Sequence, residues 1–356
     1  APVMSDPEKL AAMDIMAGII TSAWAVNPEY FNKLTFTMVA LSLQYGNAPT
    51  SPFGYAWHGS ILCEALDKPA AGADFGKLAV ALLDRLEARS LRSKVLNIYA
   101  STIGLWQGHP KRYFDFHLDG IQSGLDSGDL EFASYNAAEY AQYLFLVGTP
   151  LDQVRDASQQ KLSLIEHLKQ DFHVQYLSPW LQSTLNLLGE SSATTALEGE
   201  IYSEQAHLQA AVEQNQLTLV FVAYFLKSFL SYLFGEYEQS LAYGKIARAH
   251  SSGVAGTLFL PTEMFYVSLA RLACLNDTEA SEQGQAQLAV ETDIAQLKRW
   301  AKSAPMNYQH KCDLLEAELS KYQTHFIAAM ELYDQAIAGA KTNGYLQEEA
   351  LANERA

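Results

Sequence analysis

The histidines, cysteines and close carboxylates of this 356-residue chain are where chemistry would first be sought. His58 and Cys63 stand five positions apart. Residues at i and i+5 do not face one another well on a helix, and no third group is placed to orient them. Cys63 therefore reads as a buried structural thiol rather than an activated nucleophile. His167 and His173 are the closest histidine pair. Six positions put them on different helix faces or across a break, which is poor geometry for convergent metal ligands. Asp115 and His117, in YFDFHLD, are two apart and point to different sides of a helix, so they read as solvated surface rather than as an acid–base pair. Glu348 with Glu349, and Glu279 to Glu282, read as exposed helix faces, because a working carboxylate pair needs a cleft that separates the two pKa values. Neither Gly-x-x-x-x-Gly-Lys followed by Ser or Thr nor Gly-x-Gly-x-x-Gly occurs, and His-Glu-x-x-His is absent. The expectation is a chain with no catalytic residue, no cofactor and no metal.

The aromatic residues offer a different chemistry. Tyr55 and His58, Tyr99 and Trp106, and Asn136 and Tyr140 fall on the first helices of successive helix pairs in the reading below. First helices line the concave side of a repeat superhelix. A groove presenting Tyr, Trp, Asn and His suits a peptide or small ligand; the competing reading is that all six are packing residues of the repeats.

The elements that position them are helices. Val220 to His250 is the clearest unit. The helix up to Phe234 is apolar except for a stripe of Tyr224, Lys227, Ser228 and Ser231, so it should be buried on nearly all sides. Gly235 supplies a left-handed stop. Tyr237 then opens a second helix with Leu241, Gly244 and Ala247 on one face. Large residue, Gly, aromatic and two spaced small residues form the tetratricopeptide helix-turn-helix pattern, whose units need neighbours to bury their outer faces. Phe326, Ala329, Tyr333 and Ala336 repeat the spacing of Tyr237, Ser240, Gly244 and Ala247.

The same grammar runs through the chain. Asp6-Pro7 and Asn27-Pro28 are N-caps followed by Pro at the first helical position. Further helices are predicted over 53–66, 74–90, 91–108, 111–124, 130–147, from Pro150 to about Gln170, 173–188, 258–275, 279–302, 307–320 and 325–340. No segment alternates as a strand does. The fold class is therefore all-α: a TPR-like, right-handed superhelix of antiparallel helix pairs, an alpha solenoid. GESSATT, at 189–195, reads as a short flexible linker over 189–196, dividing N-terminal helical repeats at 1–188 from C-terminal TPR-like repeats at 197–356. GYLQEEALANERA runs out without a cap, which suggests a chain cut from a larger protein.

Composition sets the remaining bounds. A net charge of −16 argues against binding a nucleic-acid backbone, which needs clustered Lys and Arg. Three scattered cysteines suit a reducing, cytoplasmic setting. The longest apolar run, Leu217 to Phe234, is broken by Lys227, Ser228 and Ser231, so no membrane span is expected.

The order of segments resembles one family. MSDPEKLAAMDIM at the start, SLQYGNAPTSPFGYAWHGSILC at Ser42 to Cys63, FGKLAVALLDRL at Phe75 to Leu86, QSGLDSGDLEFASYNA at Gln122 to Ala137, YEQSLAYGKIA at Tyr237 to Ala247 and LYDQAIAGAKTNGYLQEEALANERA at Leu332 to Ala356 carry the likeness. Together they resemble the helical-repeat region of cyanobacterial multi-sensor signal transduction multi-kinases. In that family a serine/threonine kinase and a STAND-type ATPase precede this region, and a GAF domain and a histidine kinase follow it. The resemblance implies a non-catalytic sensory or scaffolding segment. Its partners would be a protein, the adjacent domains of the parent kinase, and a small-molecule effector. A stand-alone protein–protein interaction module is the alternative, and an enzyme on a helical scaffold a weaker third.

Overall fold

The computed structural model describes residues 2–356. Among them the chain is all-α: helix follows helix, short turns join them, and two isolated β-bridges are the nearest approach to a strand. The helices form consecutive pairs, as an alpha solenoid requires. They divide into two compact units, Ala1–Tyr140 and Ala141–Ala356.

Unit 1 holds α1 (Pro7–Val26), α2 (Pro28–Tyr45), α3 (Ser51–Glu64), α4 (Pro69–Arg85), α5 (Arg92–Ile98), α6 (Phe114–Ser127) and most of α7 (Leu130–Leu146). The caps are those the sequence predicts. The Asp6 carboxylate accepts the Glu8 amide at 2.9 Å, and the Asn27 side chain accepts the Tyr30 amide at 3.0 Å. The α3–α4 pair packs through bare positions. A Cβ added at Gly72 would collide with Cys63 Sγ and lie 2.5 Å from the Gly59 carbonyl oxygen. The segment predicted as one helix over 91–108 is broken. After α5 the chain winds into a π-helical turn at Tyr99–Ile103, and a 3-10 turn at Gly104–Trp106 follows. Residues 110–113 are likewise 3-10 before α6 begins.

Unit 2 takes the end of α7, then α8 (Leu151–His167), α9 (Asp171–Leu188), α10 (Gln209–Glu213), α11 (Leu217–Leu233), α12 (Tyr237–Ala249), α13 (Phe259–Cys274), α14 (Ala280–Ala301), α15 (Pro305–Tyr322), α16 (Phe326–Asn343) and α17 (Leu346–Arg355). As expected, α11 is buried on almost every side, with Lys227, Ser228 and Ser231 buried as well. Ala329, Tyr333 and Ala336 are buried at the positions that match Ser240, Gly244 and Ala247. First helices converge on an aromatic centre. Trp180 of α9 lies 5.1 Å from Phe259 of α13, 5.5 Å from Phe145 of α7 and 5.9 Å from Phe225 of α11, centroid to centroid.

The linker expected at 189–196 lies within unit 2, between α9 and the π-helical turn Glu204–Leu208. It is irregular but tied down. Asn186 Nδ2 donates to the Ala196 carbonyl at 2.8 Å, the Leu197 amide donates to Glu204 at 2.6 Å, and Leu197 is buried. The two compact units are divided at Tyr140 and Ala141, inside α7. A continuous helical period carries no mark of such a boundary.

Candidate functional site

Four of the six residues expected to face a groove are buried among their neighbours. Tyr55 donates its hydroxyl to Asn47 Oδ1 at 2.7 Å, between α3 and the turn before it. Tyr99, in the π-helical turn, packs its ring edge-on against Tyr113 and Phe116. Trp106 is buried in the 3-10 turn, and Asn136 is buried on α7. His58 and Tyr140 are half-buried. His58 sets its ring 4.6 Å from that of Phe75, and Tyr140 lies 5.3 Å from Phe114. Two surface pockets, of 420 Å³ beside Tyr237 and Cys274 and of 300 Å³ beside Arg89 and Arg92, are lined by none of the six.

Asn136 does belong to a built cluster in unit 1. Its Nδ2 donates to the Phe132 carbonyl at 2.8 Å and the Ser93 carbonyl at 3.1 Å, and its Oδ1 lies 3.1 Å from His117 Nδ1. His117 therefore presents Nδ1–H to the amide oxygen. Ser93 Oγ reaches the Gly120 carbonyl at 2.8 Å. α6 approaches α7 so closely here that a Cβ at Gly120 would lie 2.5 Å from Asn136 Nδ2. His117 thus belongs to the interior, not to the solvated surface the sequence implied. Asp115 alone of that pair is exposed, since two positions turn the helix by about 200°. Burial pushes His117 down to about 4, against the opposing hydrogen bond with Asn136.

One turn further along α7 is Glu139, 6% exposed. Asn97 Nδ2 donates to its Oε2 at 2.7 Å, and the Ser101 hydroxyl donates to the same oxygen. Burial pushes the Glu139 carboxyl up to about 7, although both hydrogen bonds pull the other way. Ser101 sits in the π-helical turn, where the extra residue per turn re-aims side chains. A carboxyl poised near neutrality, next to an irregular turn, can gain or lose a proton in the physiological range.

Unit 2 contains a second buried group. Lys311 Nζ donates to both oxygens of Glu348, at 2.7 and 2.6 Å, and His310 Nε2 lies 2.5 Å from Glu348 Oε2. Lys311 is 1% exposed and Glu348 2%. Glu348 is therefore not the exposed carboxylate its sequence neighbourhood suggested. It shares a face with Leu351 and Ala352, at i+3 and i+4, and that face is the buried one. Burial alone would raise its pKa, but the Lys311 ammonium and His310 hold it below the usual carboxylate value. Burial lowers both Lys311 and His310. Tyr345 completes the group, donating its hydroxyl to Asn307 Oδ1 at 2.9 Å beneath the Lys311 ammonium, 4.4 Å from the ring centroid.

A third cluster joins α12, α13 and α14. Arg248 donates to Glu263 at 2.7 Å and to Asp293 at 3.1 Å, and Ser268 Oγ donates to Asp293 at 2.9 Å. Glu139, Lys311 and Glu263 escaped sequence reasoning. Their one signal is a charged residue inside an otherwise inward-facing helical period.

Among the described residues no group of three or more His, Cys, Asp and Glu side chains is placed to hold a metal ion, and no helix is long and apolar enough to cross a membrane. Cys63 is buried, and burial pushes its thiol up to about 12, with Glu64 adding to the effect. No family model matches the chain, and no curated protein matches it.

Proposed function

We propose that the chain is a non-catalytic sensory and scaffolding segment of a large signal-transduction kinase. It binds a protein partner or ligand in the cytoplasm and couples that event to neighbouring ATPase and kinase domains. The observation that carries this reading is how buried polar groups tie helices of successive pairs together. Asn97 and Ser101 hold Glu139 between α5 and α7, Arg248 joins α12 to α13 and α14, and Lys311 holds Glu348 between α15 and α17. Packed helices joined in this way hand a displacement to the next pair rather than absorbing it. Hydrogen-bonded ties also exchange between discrete arrangements, which is what a two-state relay needs. A ligand or partner favouring one arrangement then shifts the equilibrium of the attached domains by its differential affinity. The resemblance to the multi-kinase helical region supplies the identity of those domains.

The test is a thermal-shift screen of the chain against a metabolite set, with a partner pull-down in parallel and binding measured by calorimetry. A ligand at 100 times its Kd stabilises the native state by about 2.7 kcal/mol, which is readily seen. A saturable shift supports the sensor. A stoichiometric protein partner without any ligand shift supports the plain interaction module. Turnover of any compound by the purified chain would sink the non-catalytic reading.

A further inference from the structure

Unit 2 begins and ends in contact with itself. Gln347, in the first turn of α17, donates Nε2 to the Leu146 carbonyl of α7 at 2.7 Å, across 201 residues of chain. Beside it the backbones nearly touch. Gly148 has φ +72°, and a Cβ there would lie 3.0 Å from the Leu346 amide nitrogen. From the inner side the same turn is held by the Glu348 contacts with Lys311 and His310 and by Tyr345 on Asn307.

We propose that α17 is a releasable clasp, whose first turn closes unit 2 into a ring by docking on the turn between α7 and α8. Its grip is of the kind that can be undone. The outer contact is one neutral hydrogen bond plus a bare backbone approach. The inner contact of the first turn is an ion pair, and water compensates both of its charges when the pair parts, while Leu351 and Ala352 on the same face add an apolar contact further along α17. At the root of the helix Gly344, at φ +75°, supplies a joint where backbone rotation is cheap. This arrangement stands whether or not the chain belongs to a kinase. It identifies α17 as the element that moves.

The experiment is hydrogen exchange on the full 356-residue chain, comparing wild type with Gln347→Ala and Gln347→Glu. Ala removes the donor. Glu places a carboxylate against the Leu146 carbonyl. Gln347 is half-buried, with its Oε1 enclosed beside Gly148, but it lies outside the Glu348–Lys311 contact, so both variants leave that inner contact and the aromatic centre in place. In Gln347→Ala the amides of 146–149 and of 346–352 exchange faster together, by about five-fold, the factor expected for losing one neutral hydrogen bond. In Gln347→Glu the joint rise is larger, and in both variants the α11 and α13 amides keep their wild-type rates. A rise confined to α17, with 146–149 unchanged, overturns the clasp. So does the absence of any rise in both variants.

Discussion

Replacing Glu139 by Gln isolates the consequence of burying a carboxyl whose pKa stands at about 7. In the unfolded chain the same group titrates near the ordinary 4.5. Below that value both states hold the proton, and Glu139 weakens the fold by nothing. As pH rises, the unfolded chain gives up its proton first. Stability is lost until the folded carboxyl also ionises, and is level above that. With 1.36 kcal/mol per unit, the loss between pH 5.5 and pH 8 is about 2 kcal/mol. The substituted glutamine side chain does not titrate, and its amide oxygen can accept from Asn97 and Ser101 as the carboxyl does. Its amide hydrogens shift the baseline by an amount independent of pH, so the slope is the quantity that matters. The assay is urea unfolding of wild type and variant at half-unit steps from pH 5.5 to 8. Other titrating groups are present in both proteins and cancel in the difference. The variant should gain on wild type by about 2 kcal/mol across the range, with m unchanged. A difference that stays flat to within about 0.5 kcal/mol would show that Glu139 ionises normally, and would refute the argument from burial.

Three further outcomes follow from the packing. Lys311→Ala strands the Glu348 carboxylate and should destabilise by about 3–5 kcal/mol, whereas Lys311→Met combined with Glu348→Gln should recover most of that loss in the same urea assay. Gly72→Ala drives a methyl into Cys63 Sγ and the Gly59 carbonyl, and should cost about 1–3 kcal/mol, read as a lower urea midpoint. Cys274, half-buried, should react with a thiol reagent in the native protein, while Cys63 and Cys312, buried and each pushed up to about 12, should react only on unfolding. Mass mapping of the labelled peptides decides this last point.

Much of the fold is legible in local chemistry. Asp6-Pro7, Asn27-Pro28, Gly235 and Gly344 mark helix ends where the structure places them, because caps and left-handed stops depend on a few adjacent residues. The π-helical turn at Tyr99–Ile103 is not legible, since its residues suit an α-helix equally well and neighbouring helices decide the winding. His117 and Glu348 show the same limit for the candidate sites. Helical period tells which residues share a face, but not whether a charged residue near the edge of that face meets water or a partner. For Glu348 the partners lie 37 and 38 positions earlier in the chain, on α15. Tyr55, Tyr99 and Asn136 carry the residue types of a binding groove and the same types as a helix-packing seam, so only their neighbours distinguish the two uses.

The convergence of α7, α9, α11 and α13 on Trp180 and Phe259 bears on how unit 2 folds. A linear array of repeats gains stability one interface at a time and can fray from either end. Here Phe145, Trp180, Phe225 and Phe259 come from four helices spread over more than a hundred residues, and none is enclosed until the others arrive. Such contacts raise the contact order, so unit 2 should fold more slowly than a linear stack of equal length. It should also unfold in a single cooperative step, and a truncation that removes one of those helices should unravel the unit rather than shorten it.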